Sequence, residues 1–128
     1  MCIQTVESHC NLIHGYALQF DFTFGCDDLD DRNWAVDFGG LKPLKEWLKY
    51  MFDHTYLLAS DDPEFQTFQD LADKNLIDLR VVGSVGCERF AEQAFDEAER
   101  IVRDLTDGRC WVQRVTVREH EANSATCE

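Results

Sequence analysis

Positive charge is scarce in this chain: 12 Lys and Arg stand against 25 Asp and Glu, a formal net charge of −13 over 128 residues. Proteins that bind nucleic acid gain affinity by releasing counterions from phosphates through Lys and Arg, so this balance excludes nucleic acid as the expected partner. It equally speaks against docking on an anionic membrane surface. An acidic surface keeps a small protein soluble, and an anionic substrate would have to be met by basic residues placed locally. Long apolar runs are missing too. None approaches the roughly 18 residues needed to span a bilayer, and Met1-Cys2-Ile3-Gln4 carries no basic-then-apolar leader. Proline occurs only at Pro43 and Pro63. The six cysteines (Cys2, Cys10, Cys26, Cys87, Cys110, Cys127) include no C-x-x-C pair. Free thiols and a reducing cytoplasm are therefore expected rather than a disulfide scaffold.

What is present suffices for one compact domain over residues 1–128, with 45% hydrophobic residues, nine Phe and three Trp to build a core. Residues 15–24 alternate Tyr16, Leu18, Phe20, Phe22 and Phe24 with mostly polar neighbours, the period of a half-buried strand. An Asp-rich turn leads to a short strand at 34–38, expected to pair antiparallel with the first. A helix is predicted over 41–52, with Leu41, Leu44, Leu48, Met51 and Phe52 on one face and Pro43 in its first turn. Tyr56 to Ala59 reads as extended. Asp61-Asp62-Pro63 opens a second helix carrying Phe65, Phe68, Leu71 and Ala72. A strand at 77–82 follows, then a long helix over 88–105 with Ala91, Ala94, Phe95, Ala98, Ile101, Val102 and Leu105 in one stripe. A last strand runs from Trp111 to Glu119. This order predicts an α+β domain with helices packed on one face of a largely antiparallel sheet. Its open edges favour oligomerisation.

Four local groups stand out. In Ser8-His9-Cys10-Asn11-Leu12-Ile13-His14-Gly15-Tyr16, two histidines and a thiol lie at the start of the first strand. His14 shares the covered face, as a metal ligand, a base or a satisfied core histidine. Asp53-His54 ends a helix; the Asp can orient the ring and hold an imidazolium, or the His can simply complement the helix terminus. Glu119 falls on the face of Trp111, Val115 and Val117, at the rim of the core, able to accept hydrogen bonds from a heterocycle or to pair with an Arg. Asp37-Phe38-Gly39-Gly40-Leu41-Lys42 reads as a strand-to-helix turn.

In this order, with Cys10–Tyr16, Asp37–Lys42, Phe52–His54 and Val115–Glu119, the chain resembles the 6-pyruvoyl/6-carboxytetrahydropterin synthase family. The resemblance implies a T-fold, in which antiparallel sheets of several subunits close into a barrel, as a trimer or hexamer with active sites at subunit interfaces. It implies that Cys10 is the catalytic thiol, Asp53 and His54 its proton relay, Glu119 with Glu88 the substrate-binding carboxylates, and His14 a zinc ligand. The implied substrate is 7,8-dihydroneopterin triphosphate, from which triphosphate is expelled. In the carboxy branch, which serves queuosine and 7-deazaguanine biosynthesis, acetaldehyde also leaves. A thiol base can take a carbon-bound proton beside a hydroxyl, and zinc would polarise the side-chain hydroxyls.

Three positions depart from the family pattern. Tyr16 replaces the second His of a His-x-His pair, leaving His9 as the replacement ligand. The residues before Cys10 are few for the family's first strand, so part of it is expected to be lacking. The Pro-Thr-x-Glu signature reads Val85-Gly86-Cys87-Glu88. A 6-carboxytetrahydropterin synthase-like lyase is the leading expectation. The alternatives are a 6-pyruvoyltetrahydropterin synthase, a metal-free dihydroneopterin aldolase-like enzyme, and a non-catalytic pterin-binding paralogue.

Overall fold

A computed structural model of the chain describes residues 18–119 and 123–128. In chain order its elements are β1 (Leu18–Cys26), a 3-10 turn (Phe38–Leu41), α1 (Lys42–Phe52), β2 (Tyr56–Ala59), α2 (Phe65–Asp73), β3 (Leu79–Val82), α3 (Cys87–Thr106), β4 (Cys110–Glu119) and β5 (Asn123–Cys127). They fall into two compact units, one of residues 18–36 with 86–128, the other Asp37–Val85.

In the first unit an antiparallel sheet in the order β1-β4-β5 carries α3, which packs on β4 and β5. The register sets Val115 opposite Phe22 and Cys127, and Val117 opposite Phe20 and Ala125. Residues opposite one another point to the same side of a sheet, so these side chains form the face under α3. Small residues on the helix let it approach that face: Ala94, Ala98 and Val102 are fully buried, as are Val115 and Val117. Burying a Val side chain completely is worth about 1.5–3 kcal/mol. The helical stripe is shifted from its predicted line. Phe90 is buried and Leu105 is 44% exposed, because Leu105 lies in the last turn, where the chain leaves through Asp107 (φ 52°) and Gly108 (φ 80°).

The predicted hairpin between the first strand and 34–38 does not form. The partner of β1 is β4, and residues 34–38 lie in a loop that runs into the 3-10 turn. The groups a ladder would use are already taken. Asp30 Oδ1 accepts from the Arg32 and Trp34 backbone N–H groups at 2.8 and 2.9 Å. The Trp34 carbonyl accepts from Asp30 N–H, and the Ala35 carbonyl accepts from Arg109 and Cys110. The phenyl rings of Phe20, Phe22 and Phe24 stack in a row with centroids 6.5 and 6.3 Å apart. They are half-buried rather than core, since β1 flanks β4 on the side away from β5.

A register shift between Thr23 and Phe24 inserts Gln113 into β4, since Thr23 faces Arg114 and Phe24 faces Val112. A bulge of this kind reverses the alternation beyond it. Val112 and Cys110, not Trp111, therefore continue the buried line of Val115 and Val117. Trp111 instead lies against Gly25, where an added Cβ would come within 2.6 Å of the indole, so no other residue fits there without a shift. β5, which nothing in its polar sequence signalled, adds to the sheet beyond Glu119. It is held by a 3.0 Å hydroxyl pair between Thr116 and Thr126 and a 3.0 Å ion pair between Arg114 and Glu128.

In the second unit β2 and β3 pair in parallel, with α2 in the crossover. Parallel neighbours need such a connection, and the segment from Ser60 to Asp78 supplies it. Leu58 and Phe68 are buried, and the Tyr56 ring stacks on Phe68 at 4.7 Å. Asp62 opens α2 by accepting the Glu64 N–H at 2.8 Å. Arg80 gathers the rest: its guanidinium lies 3.9 Å from the Tyr50 ring centroid. It also donates to the Tyr50 carbonyl at 3.0 Å and pairs with Asp78 at 2.7 Å.

Candidate functional site

Each unit presents one of the chemical groups singled out from the sequence. In the first unit it is the junction of β4 and α3. Glu119 ends β4, facing Leu18 across one edge and Asn123 across the other. It stays on the side of the buried Val115 and Val117, which leaves its carboxylate half-buried. Cys87, the first residue of α3 and itself buried, donates its thiol to Glu119 Oε2 at 3.8 Å. Glu88 follows in the first turn.

Gly86 precedes the helix at φ 124°, ψ 158°, a backbone conformation L side chains rarely adopt. A Cβ there would lie 3.6 Å from Glu88 Oε2, so the Glu88 carboxylate folds back over the cap. The first backbone N–H groups of a helix lack partners within it and carry its positive end. Carboxylates are favoured beside them. The Cys87 thiol and the Glu119 carboxylate thus meet where α3 begins, with the Glu88 carboxylate beside the Gly86 cap. A carboxylate in this setting can take two parallel N–H donors from one ring.

In the second unit the group is Asp53-His54. The Asp53 N–H still bonds to the Lys49 carbonyl at 3.0 Å, but its ψ of 113° ends α1. His54 then takes φ 55°, a left-handed conformation in which His is among the more tolerant residues. That turn swings the imidazole out, 93% exposed, with Nδ1 2.8 Å from Asp53 Oδ1. The carboxylate fixes the ring through one nitrogen and leaves Nε2 open to exchange a proton with whatever reaches it.

Of the residues selected from the sequence, Asp53 and His54 are therefore in direct contact, and Glu119 lies against the residue that precedes Glu88. Cys10, His9, His14 and Tyr16 lie outside the described residues. Among the described residues no group of three or more His, Cys, Asp or Glu side chains is placed to hold a metal ion. Within Val85-Gly86-Cys87-Glu88 nothing in the sequence marks Cys87 for function. Only its placement opposite Glu119 gives it a role. Glu119, read as closing the last strand, stands instead at the β4 end that leads toward β5.

Comparison with known proteins bears on this arrangement. Residues 2–128 match the family described as 6-pyruvoyl tetrahydropterin synthase. A 65-residue stretch is 28% identical to the 6-carboxy-5,6,7,8-tetrahydropterin synthase of Aquifex aeolicus (strain VF5), and covers 51% of this chain but only 40% of that protein. The crystal structure of an uncharacterized protein from Wolinella succinogenes shares the fold, with a TM-score of 0.79 at 20% identity over 92% of this chain and 79% of that one.

Proposed function

The chain belongs to the 6-pyruvoyl tetrahydropterin synthase family and has its α+β T-fold; from that premise we propose that it is a lyase of the 6-carboxytetrahydropterin type, acting on 7,8-dihydroneopterin triphosphate in queuosine biosynthesis. The observation that carries this reading is the seat of Glu119, half-buried with the Cys87 thiol directed at Oε2. Burying a carboxylate is costly unless it is hydrogen-bonded, and a ligand that brings N–H donors to it offsets that cost. Glu119 accepts the two parallel N–H groups of the aminopyrimidinone ring, and Glu88 takes a further donor from the same substrate. Asp53 holds the His54 ring through Nδ1, so that Nε2 relays a proton. Cys10 takes the proton bound to carbon on the substrate side chain, after which triphosphate departs.

Residues 1–128 act as one pterin-synthase domain in this reading, in an oligomer of three or more chains. Zinc belongs to the proposal through His14 and His9. Two imidazoles fall short of the three protein ligands of a catalytic zinc site, so each step above is assigned to the chain's own residues.

Turnover of 7,8-dihydroneopterin triphosphate with product analysis tests the reading. Release of triphosphate and acetaldehyde supports the carboxy type. Triphosphate with a 6-pyruvoyl product moves the chain to the sister activity, and absence of turnover by protein that still binds the pterin leaves a non-catalytic binder. Metal analysis of the same preparation tests the zinc.

A further inference from the structure

Two of the cysteines meet across the sheet. Cys26 closes β1 and Cys110 opens β4, and the register sets them directly opposite one another. The Asp27 N–H donates to the Arg109 carbonyl at 3.2 Å, which makes that neighbouring pair the hydrogen-bonded one. Cys26 and Cys110 are then a non-hydrogen-bonded pair, the type whose Cα atoms approach to about 4.5 Å with side chains on the same face. A disulfide spans Cα separations of roughly 4.4–6.8 Å. Both cysteines are free thiols.

They differ in access and in partners. Cys110 is fully buried and Cys26 half-exposed. Burial pushes the Cys110 thiol up, the Arg109 charge opposes it, and contact with the Cys26 thiol adds to the rise. Cys110 also ties down the loop between β1 and the 3-10 turn. Its thiol donates to the Ala35 carbonyl at 2.8 Å, the same oxygen that accepts from Arg109 Nη2 at 2.8 Å. The other described cysteines are poorer candidates. Cys87 is buried against Glu119. Burial first, then the charges of Glu92 and Asp96, holds the Cys127 thiol up.

We propose that Cys26 and Cys110 form a redox-sensitive dithiol, converted to a cross-strand disulfide by a small-molecule disulfide and reversed by a dithiol reductant. The Cys26 thiolate attacks the oxidant, breaking its S–S bond and expelling one small thiolate, to give a mixed disulfide at Cys26. Cys110 loses its proton to solvent and attacks the Cys26 sulfur, expelling the second small thiolate. The two chain thiols are oxidised by two electrons, and the oxidant is reduced to two small thiols. Cys110 then has no S–H to give Ala35, so Arg109 is the remaining donor among these contacts and the 27–36 loop loosens.

The test is oxidation of the full chain by oxidised glutathione, alkylation of the remaining thiols, and peptide mapping by mass. The expected product is a Cys26–Cys110 bridged peptide pair, the chain lighter by two hydrogens at that pair, restored by dithiothreitol. Amide hydrogen exchange across 27–36 speeds up in the bridged chain. Cys26→Ser gives no bridge, and Cys110→Ser keeps one glutathione on Cys26. A lasting glutathione adduct on Cys26 in the unsubstituted chain overturns the proposal, as does a bridge from either residue to another cysteine. If Cys110→Ser does not fold, the unsubstituted chain and Cys26→Ser decide between these outcomes. Because the readout is a peptide mass and not turnover, the result stands whatever substrate the protein takes.

Discussion

The two compact units solve different problems with different material. The first is built on aliphatic burial, with a sheet face of Val112, Val115 and Val117 sealed by the alanines of α3. The second buries Leu41, Leu44, Leu58 and Phe68 and leans on Arg80, whose one side chain serves a ring, a carbonyl and a carboxylate. Their chemical groups differ in kind to match. Glu119 is held by a strand whose neighbours cannot move without opening the core. His54 stands almost wholly in solvent on a left-handed turn, steadied by one adjacent carboxylate. Under the proposed function Glu119 holds a ring, and a fixed, partly dry seat suits that, because hydrogen bonds gain strength there. A group that passes protons needs access and a settled ring orientation.

The largest expected effect tests the assignment of proton transfer to the exposed unit. His54→Ala should slow turnover by about 10²–10⁴-fold, the usual worth of a positioned acid or base, while pterin affinity stays as it was. Turnover retained in the variant would leave the exposed pair a helix-terminus ornament and remove half of the contrast. Next in size, Phe90→Ala should cost the folded state about 3–5 kcal/mol, as for other buried aromatic truncations, measured by urea unfolding. A loss below 1 kcal/mol would mean that the sheet-and-helix unit is not the well-packed partner described above.

Glu119→Gln sharpens the comparison at the holding site. The amide keeps the size but turns one acceptor into a donor. Binding of a non-hydrolysable dihydroneopterin analogue should weaken by about 1.5–3 kcal/mol with unfolding unchanged. Equal affinities would make Glu119 a rim residue only.

The smallest effect is electrostatic and lies on the first unit's surface. Hydrogen bonds from Gln19 and Arg118 hold the Asp21 carboxyl below its ordinary 3.8. A carboxyl depressed in the folded state adds stability above its unfolded value, and that stability is lost as pH falls through the folded value. Solvent screens this exposed pair, so Asp21→Asn should cost less than about 1 kcal/mol at neutral pH. The difference between variant and parent should shrink as pH drops below 3.8. A gap that persists in acid would trace the cost to lost packing rather than charge.

Much of this architecture is legible in the sequence. The apolar spacing of α1 and α3 and the alternation of β1 follow from local sequence, and each lies close to where its period put it. Asp53 and His54 are covalent neighbours at a helix end, so their pairing needed only a turn to bring it about. Less legible were the elements whose evidence lies elsewhere in the chain. Residues 34–38 have the composition of a strand, yet Asp30 and Arg109 claim the groups a strand would pair. β5 is polar and short, and becomes a strand because β4 offers an open edge and Thr116 a hydroxyl to Thr126.

What the sequence by itself determined is which face of each element is apolar and which residue types stand at the ends of those elements. A period of two or of 3.6 specifies a face, and it is carried by neighbours along the chain. Tertiary structure alone decided who lies opposite whom. It chose β4 as the partner of β1, and placed a bulge at Gln113 that hands the core position from Trp111 to Val112. It set the Cys87 thiol against Glu119 and Cys26 against Cys110. Those choices rest on contacts between distant segments, whose closure is repaid only when a whole face is buried at once. No local window of residues contains them.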